Sequence, residues 1–385
     1  MIAGPLLIPD RDRVAAAAAV RLSLVVPTYN EAANIGALLA ELTGLLDAML
    51  GEAYEIIVVD DDSPDGTAQL AERFAGTAAR VRVLRRAQER GLSTAVIRGW
   101  QLARGDVLGV IDGDLQHPPQ VLRGLWHQIT LGHDLAVASR HVEGGGVSEW
   151  SLWRRAVSRA AQAVGLVLLP DSIGRVSDPM SGYLLVRRRA LAGVALDPLG
   201  YKILVELLAR GQIRSIAEVP YVFRERQLGS SKLTGSITLD YLRHLVRLRL
   251  ASETFRRFLR FGVVGLSGVV VDMTLLYLLS DPQSLGWGLT RSKLIAAEVA
   301  IINNFLWNDA WTFGDRSRRH PGLARRLRRF AKFQAVCLAG LAMNTVLLNL
   351  QFNLLGMNRY VANAIAIAAV TGWNFWLNLK ISWRR

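Results

Sequence analysis

Four apolar stretches near the C-terminal end limit the possible structure of this chain more than any other feature. They cover residues of about 258–280, 289–312, 331–355 and 360–382. Each is close to the ~20 residues that an α-helix needs to cross a ~30 Å hydrocarbon core. Because lipid offers no partners to the backbone, we expect residues 258–385 to form an α-helical transmembrane domain with four helices.

The basic residues are distributed in the pattern of a membrane protein. The chain has 385 residues and a formal net charge of +14. Arginines cluster before the first apolar stretch, in the loop 314–332 and at the C-terminus, whereas the other two connections carry almost none. This alternation predicts a multi-pass protein of the cell membrane, with the N-terminal domain, the 314–332 loop and both termini in the cytoplasm. The sequence contains no zinc-finger spacing or RNA-binding motif, so we expect no nucleic-acid partner.

The first part of the chain alternates short apolar runs with amphipathic stretches. Residues 1–20 contain an alanine run without a cleavage site and are predicted to be an N-terminal extension, not a signal peptide. Between residues 21 and 235, runs such as "LSLVVPTYN", "YEIIVVD" and "DVLGVID" predict buried strands separated by helices. This pattern indicates an α/β domain with a mostly parallel sheet and helices on both faces. Ligands of such sheets bind beyond the carboxyl ends of the strands.

Two segments have the composition of helices that lie in a membrane interface. Residues 150–169 place Trp and apolar side chains near helical spacing, with arginines around them, and 236–257 contain a similar stretch. Amphipathic helices of this kind bind the boundary between headgroups and acyl chains. The alternative, that both are ordinary helices packed on a protein core, stays open at this point.

Two carboxylates follow one predicted strand in "GVIDGDLQHPP". In an extended chain, Asp112, Asp114 and Gln116 would point to the same side. Two carboxylates at that distance repel each other unless a cation lies between them or one is protonated. Oxygen ligands suit Mg²⁺ or Mn²⁺, which often bind phosphate oxygens as well. The pattern therefore predicts a divalent cation that binds a diphosphate, with a solvated acidic turn as the alternative.

Other predicted strand ends also carry polar residues. "VVPTYNEAANI" contains Tyr29 and Glu31, and "VVDDDSPDGT" contains Asp61. A carboxylate in such a position can accept hydrogen bonds from a ribose or a base. Three cations at further strand ends and loops could offset phosphate charge, namely Arg140, Arg226 and Lys232.

These motifs together resemble a known enzyme family. "VVPTYNEAANI", "VVDDDSPDGT", "DGDLQHPP", "SDPMSGY" and "VPYVFRERQLGSSKL" resemble family 2 glycosyltransferases of the dolichyl-phosphate (polyprenyl-phosphate) mannose synthase type, over residues 21 to about 250. "FLRFGVVGLSGVVVD" and "NNFLWNDAWTF" look like a GtrA-like membrane module. The resemblance implies a GT-A (Rossmann-like) fold and an inverting hexosyltransferase. Such an enzyme transfers mannose from GDP-mannose to dolichyl or polyprenyl monophosphate with Mg²⁺ or Mn²⁺.

The resemblance also implies roles for individual residues. The donor would contact Pro27, Tyr29, Glu31, Val59, Asp61, Asp112, Gly113, Asp114, Gln116, Arg140, Lys202, Arg226 and Lys232. The metal would bind Asp114 and Gln116, and Asp112 is a further candidate ligand. The acceptor phosphate would face Arg140 and Arg154. The residues expected to carry catalysis are Asp112, Asp114, Arg140, Arg226 and Lys232. Many family members have Ala where this chain has Gly113, and the smaller residue should leave the ligands in place.

Two other functions stay open on the sequence. The first is a polyprenyl-phosphate glucosyltransferase that uses UDP-glucose. The second is a lipid-linked sugar flippase or scaffold without catalysis, against which the intact polar motifs argue. The sequence leaves open whether the chain forms a homo-oligomer.

Overall fold

The structure is a computed structural model that describes residues 6–10, 20–147, 152–224 and 235–384, with the side chains of 152–158 and 235–238 outside the description. The chain divides into two compact units, residues 1–249 and 250–385. The strands in chain order are β1 Leu6–Leu7, β2 Leu22–Thr28, β3 Tyr54–Asp60, β4 Val81–Arg85, β5 Val107–Val110, β6 Leu135–Ser139, β7 Gly146–Val147, β8 Leu184–Arg187, β9 Ala195–Leu196, β10 Ile216–Pro220 and β11 Val222–Phe223.

In the first unit the helices alternate with these strands, whereas in the second unit one helix follows another with no strand between them. They are α1 Ile35–Leu50, α2 Thr67–Thr77, α3 Leu92–Leu102, α4 Val121–Thr130, α5 Leu152–Leu168, α6 Pro170–Ile173, α7 Ile203–Arg210, α8 Gly235–Ala251, α9 Glu253–Ser280, α10 Leu289–Trp307, α11 Gly314–Arg319, α12 Leu323–Asn353 and α13 Arg359–Leu377.

A seven-stranded sheet forms the centre of the first unit. Its order is β10-β6-β8-β5-β2-β3-β4, and all neighbours are parallel except β8, which is antiparallel to β5 and β6. Every residue of β2 and β3 is buried, as expected for strands covered on both faces. Two separate hydrophobic clusters contact the sheet, one with Trp100 and Ile203 and the other with Leu38 and Leu125. The predicted α/β sheet is confirmed.

The second unit contains two similar halves. In each half a long helix is followed by an α-helix that ends in a π-helical turn, at Asn308–Thr312 and at Asn378–Ser382. The residues that follow these turns, Phe313 and Trp383, stack with ring centroids 4.5 Å apart. They belong to a buried aromatic cluster that also includes Phe305 and Phe375. Both halves therefore end in the same arrangement of a π-helical turn followed by a buried aromatic residue.

Three helices have the length and apolar composition needed to cross a membrane. They are Glu253–Ser280, Leu323–Asn353 and Arg359–Ser382 within the described residues. The second predicted crossing forms helix α10 but is not among them. Its sequence contains Arg291, Lys293 and Glu298, which lower its apolar content. The four predicted crossings coincide with four helices, of which three meet this criterion, and the number of crossings stays a prediction.

Candidate active site

Ten of the thirteen predicted donor residues lie at one edge of the seven-stranded sheet. Strands β5, β2 and β3 are adjacent and parallel, so their carboxyl ends point to the same edge. The residues at or just after these ends are Pro27, Tyr29, Glu31, Val59, Asp61, Asp112, Gly113, Asp114 and Gln116, and Arg140 follows β6 at the same edge.

The acidic residues at the end of β3 have partners within the protein. The Asp60 carboxylate accepts a hydrogen bond from Thr28 Oγ1 at 2.9 Å, which joins the ends of β2 and β3. Asp61 is buried, and its carboxylate accepts hydrogen bonds from the Arg86 guanidinium and from the Gly91 N–H at 2.7 Å. Burial raises the pKa of Asp61, although Arg86 and Gly91 oppose this shift. Arg86 holds Asp61 in place, and sequence reasoning did not identify it.

The polar residues after β2 are positioned by the starts of two helices. Glu31 is buried, and its N–H donates to Thr67 Oγ1 at 2.9 Å in the first turn of α2. Its Oε2 accepts a hydrogen bond from Asn34 Nδ2 at 2.8 Å, just before α1. The Arg90 guanidinium carbon lies 5.5 Å from the centroid of the Tyr29 ring. These contacts fix the side chains that were predicted to surround a nucleoside.

The segment after β5 is a turn, so the expectation of an extended chain is wrong. Strand β5 ends at Val110, residues 113–114 form a turn, and Leu115 has a φ of +58°. The turn is stabilised because the Gln116 N–H donates to Asp114 Oδ1 at 3.2 Å. Gln116 Nε2 also donates to the carbonyl of Arg224 at 3.0 Å. The three predicted ligands therefore do not lie on one side of an extended strand. Their metal-binding role stays a prediction.

Asp112 is the carboxylate whose surroundings fit a metal ligand best. One oxygen, Oδ2, lies 3.3 Å from Nε2 of the buried His117. The other, Oδ1, is buried without a hydrogen-bond partner. A buried oxygen without a partner is costly unless a ligand satisfies it. Across the described residues, no three His, Cys, Asp or Glu side chains form a metal-binding group. Oxygen ligands from Asp112, Asp114 and the Gln116 amide would suit a divalent cation, and this donor set stays a prediction.

Gly113 lies in close contact with the end of β2. A Cβ atom at this position would be 3.0 Å from Thr28 Cγ2 and 3.4 Å from the carbonyl oxygen of Pro27. Thr28 cannot turn away without losing its hydrogen bond to Asp60. The close approach gives a physical reason for glycine at position 113.

Arg140 is paired with a buried carboxylate that sequence reasoning did not identify. Its Nε and Nη2 donate to the two oxygens of Asp178 at 2.6 and 2.7 Å. Burial alone would raise the pKa of Asp178, but the hydrogen bonds and charge of Arg140 outweigh this and lower it. Arg140 also lies over the Phe223 ring, 5.5 Å from its centroid. The predicted phosphate-binding cation is therefore half of a buried ion pair, and its role toward phosphate stays a prediction.

The loop 177–183, which contains Asp178 and leads into β8, contacts three of the predicted site residues. Besides Arg140, it meets Lys202, whose Nζ donates to the carbonyl of Met180 at 3.2 Å. It also meets Asp112, because a Cβ at Gly182 would be 2.9 Å from Asp112 Oδ2. The sequence motif "SDPMSGY" was part of the family resemblance, and this loop gives it a structural role.

The predicted interfacial helices α5 and α8 pack on each other within the first unit. Tyr241 Oη donates to the carbonyl of Ala161 at 3.2 Å, and Gln162 Nε2 donates to the carbonyl of Ser177 at 2.8 Å. Helix α5 is thereby connected to the loop that holds Arg140. Exposed apolar side chains remain on both helices, including Val164, Leu166, Val167, Leu239, Leu242 and Val246.

Three predicted site residues lie outside the described part of the chain. They are Arg226, Lys232 and the side chain of Arg154. Before the first two, the chain passes close to the turn after β5, since the Arg224 N–H donates to the Gln116 carbonyl at 3.0 Å.

Comparisons with known proteins identify both parts of the chain. The profile of Glycosyl transferase family 2 matches residues 23–191, and that of the GtrA/DPMS transmembrane domain matches residues 260–383. A solved structure of glucosyl-3-phosphoglycerate synthase from Mycobacterium tuberculosis is 24% identical, with a TM-score of 0.48 over 61% of this chain and 82% of that one.

Curated relatives extend the match. Dolichol-phosphate mannosyltransferase of Pyrococcus furiosus is 39% identical over 94% of this chain and 99% of its own length. The protein of the same name from Saccharomyces cerevisiae is 34% identical over 60% of this chain and 87% of its own. Polyprenol monophosphomannose synthase of Mycolicibacterium smegmatis is 38% identical over 56% of this chain and 82% of its own. The chain therefore belongs to the dolichol-phosphate mannosyltransferases, which are family 2 glycosyltransferases, and it is a membrane protein with a C-terminal GtrA/DPMS transmembrane domain.

Proposed function

We propose that this chain transfers mannose from GDP-mannose to the phosphate of a polyprenyl monophosphate, with inversion at the anomeric carbon. The observation that carries this proposal is the arrangement around Asp112. Asp112 has a buried carboxylate oxygen without a partner and interacts electrostatically with Arg140 of the Arg140–Asp178 pair, at the sheet edge where ligands of α/β proteins bind. The relatives named above act on dolichol or polyprenol phosphate according to their names.

The reaction needs one bond to form and one to break. A phosphate oxygen of the acceptor attacks the anomeric carbon, and the bond from that carbon to the diphosphate oxygen breaks with its electron pair on the leaving GDP. The second pKa of a phosphate monoester is about 6, so the attacking oxygen is ionised at neutral pH. The protein therefore does not need a strong general base.

The main requirement for catalysis is to bring two anions together. Asp112, Asp114 and Gln116 would hold a divalent cation, and that cation would offset the charge that grows on the diphosphate. Arg140 and Lys202 would contribute positive charge near the donor, with Asp178 and Met180 fixing their positions. Arg226 and Lys232 would add to this charge. The packed pair α5 and α8 would hold the lipid phosphate near the membrane surface, with Arg154 and Arg140 toward it.

The test uses the purified full-length protein with polyprenyl phosphate, Mg²⁺ and either GDP-mannose or UDP-glucose. We expect a polyprenyl-phosphate hexose from GDP-mannose in mass spectra, with a β linkage by NMR. Unphosphorylated polyprenol is the matched control and should give no product. A chelator should stop the reaction, and Mg²⁺ or Mn²⁺ should restore it.

The outcomes separate the alternatives. Faster turnover of UDP-glucose would contradict the mannose donor, and an α-linked product would contradict inversion. Absence of any product from both donors would favour a non-catalytic role. Full activity in the chelator would contradict the metal assignment.

A further inference from the structure

The second unit contains an open basic cleft of about 170 Å³ that the proposed transfer reaction does not use. Its wall is formed by three separate segments, which are α11 and the turn after it, the start of α12, and the last residues of the chain. The cations that line it are Arg316, Arg325, Arg328, Arg329, Lys332 and Arg384.

Four of these cations share one face of α12. Arg325, Arg328, Arg329 and Lys332 are spaced i, i+3, i+4 and i+7, so they lie next to each other along the helix. Like charges at these spacings repel, and the repulsion grows when other cations face the same cleft. An anion in the cleft would remove this cost.

The floor of the cleft is fixed by internal contacts. Arg329 Nε donates to Asp309 at 2.9 Å, and this carboxylate also accepts from the indole N–H of Trp383 at 3.0 Å. Arg316 donates to the carbonyls of Leu379 and Trp383 at 3.0 and 2.7 Å. The cleft is therefore a built cavity and not a loose group of surface charges.

The outer cations have no carboxylate to neutralise them. Among the residues that the structure describes, Arg325, Arg328 and Arg384 form no ion pair with Asp or Glu. All three are exposed, and they face the same open volume. Arginine binds phosphate with two parallel hydrogen bonds, so this is the anion that the cleft fits best.

The length of α12 places the cleft at the level of lipid headgroups. The helix has 31 residues, and at 1.5 Å per residue it is about 46 Å long, well beyond a ~30 Å hydrocarbon core. Its apolar part lies toward its C-terminal end, so the surplus length is the basic first turns. Residues 381–384, which complete the cleft, come at the end of the candidate span Arg359–Ser382.

We propose that this cleft binds the phosphate headgroup of an anionic membrane lipid. A general excess of basic residues on one side of a membrane explains charges near helix ends. Such an excess does not explain why cations from three separate segments converge on one cavity. Basic pockets between transmembrane helices are known to suit anionic headgroups.

The test measures binding of dioctanoyl phosphatidylglycerol to the full-length protein in detergent. The variant is R325Q/R328Q, and the matched control is R318Q/R319Q, which removes two exposed arginines of the same loop that do not line the cleft. Each basic residue near an anionic surface contributes about 1 kcal/mol, so we expect the dissociation constant to rise about thirtyfold in R325Q/R328Q. It should change less than about twofold in the control. R325K/R328K keeps the charge but loses the paired hydrogen bonds, and it should give an intermediate loss.

Two comparison ligands identify the source of the phosphate. Dioctanoyl phosphatidylcholine should bind far more weakly, and inorganic phosphate should not compete at equal concentration. Equal losses in both arginine pairs, or no loss in either, would overturn the proposal. Inorganic phosphate that binds as well as the lipid would also overturn it, since the site would then recognise a free anion.

Discussion

His117 determines how the Asp112 carboxylate is oriented. Its ring lies among the aromatic rings of Tyr183, Tyr221 and Phe223, with centroid distances of 5.5, 5.3 and 5.2 Å. This packing leaves the imidazole little room to rotate, and its Nε2 faces Asp112 Oδ2 at 3.3 Å. The second carboxylate oxygen is therefore directed away from His117.

Replacing His117 tests this positioning role. His117→Phe keeps an aromatic ring but removes the contact to Asp112, so we expect kcat to fall about tenfold, in line with ~1.5 kcal/mol for a hydrogen bond to a charged group. The Mg²⁺ concentration for half-maximal activity should rise as well. His117→Gln retains a donor and should recover part of both. A purely structural role would lower stability in thermal unfolding and leave the Mg²⁺ dependence unchanged.

The Arg140–Asp178 pair predicts a pH-dependent stability. The pKa of Asp178 is lower in the folded protein than in the unfolded chain, so the pair stabilises the fold above about pH 4 and loses this contribution as the pH falls through the folded value. Asp178→Asn leaves a buried arginine without its partner and should cost about 3–5 kcal/mol at pH 7.

Thermal unfolding at several pH values measures this effect. The difference between wild type and Asp178→Asn should be largest near pH 7 and shrink toward pH 3. Asp171→Asn is the control, because Asp171 is exposed. A difference that stays constant with pH would contradict the ion-pair explanation.

At the residue level, the sequence predicts where the site residues lie in the fold better than it predicts which side chains they contact. The carboxylates after β5 were expected at the sheet edge, and they are there. Their extended geometry was wrong because Leu115 adopts a left-handed conformation, which no local pattern in "DGDLQ" reveals. The partner of Arg140 is 38 residues away in the chain, and only the antiparallel return through β8 brings it close.

At the level of elements, each half of the second unit contains an equivalent contact between a glycine on one helix and an asparagine on the next. A Cβ at Gly268 on α9 would be 2.4 Å from the Asn304 side chain on α10. A Cβ at Gly340 on α12 would be 2.5 Å from Asn374 Oδ1 on α13. Small residues at these crossings allow close packing of neighbouring helices in lipid.

Leucine substitutions test whether the two contacts are equivalent. Gly268→Leu and Gly340→Leu should each destabilise the protein by about 1–3 kcal/mol, because the added side chain overpacks the crossing. Gly262→Leu and Gly372→Leu are matched controls on α9 and α13, since a Cβ at either has no neighbour within 4 Å. The measurement is the midpoint of thermal unfolding in detergent. Equal effects at all four positions would show that the crossings are not special.

The amphipathic helix α5 leads to a prediction about the acceptor. Arg154→Gln should raise the acceptor KM about fivefold and the donor KM less than twofold, because one charge-assisted contact to phosphate is worth about 1 kcal/mol. Arg159→Gln, at an exposed position of the same helix, is the control. Steady-state kinetics with each substrate varied in turn measure both constants. A larger change in the donor KM would place Arg154 at the nucleotide instead.

The strands and helices were predictable wherever the hydrophobic pattern is strong. Strands β2, β3, β5 and β6 coincide with the apolar runs, as does each of the four long helices of the second unit. Strands β8 and β10 were not predicted. Strand β8 joins the sheet antiparallel through contacts that are remote in sequence. Strand β10 is only partly buried, so its sequence lacks a continuous apolar run.

At the scale of the whole molecule, the number of membrane crossings depends on α10. Two of its three charged side chains have partners on neighbouring helices, because Lys293 Nζ lies 2.5 Å from Asp272 on α9 and Gln334 on α12 donates to Glu298 at 3.0 Å. Paired in this way, these residues cost less in lipid than isolated charges. We therefore keep the prediction of four crossings with both termini in the cytoplasm.

Cysteine labelling distinguishes four crossings from three. The chain has one cysteine, Cys337, so Cys337→Ala gives a background without thiols. With four crossings, Ser284→Cys and Met357→Cys should react with an impermeant maleimide on intact cells, and Arg319→Cys should react only after permeabilisation. If α10 did not cross, the sides of positions 319 and 357 would both be reversed while position 284 stayed outside. The positive-inside rule favours the first result, since the 314–332 loop carries eight basic residues, Arg316, Arg318, Arg319, Arg325, Arg326, Arg328, Arg329 and Lys332. Labelling of Arg319→Cys on intact cells would disprove the four-crossing topology and would place the basic cleft outside the cytoplasm.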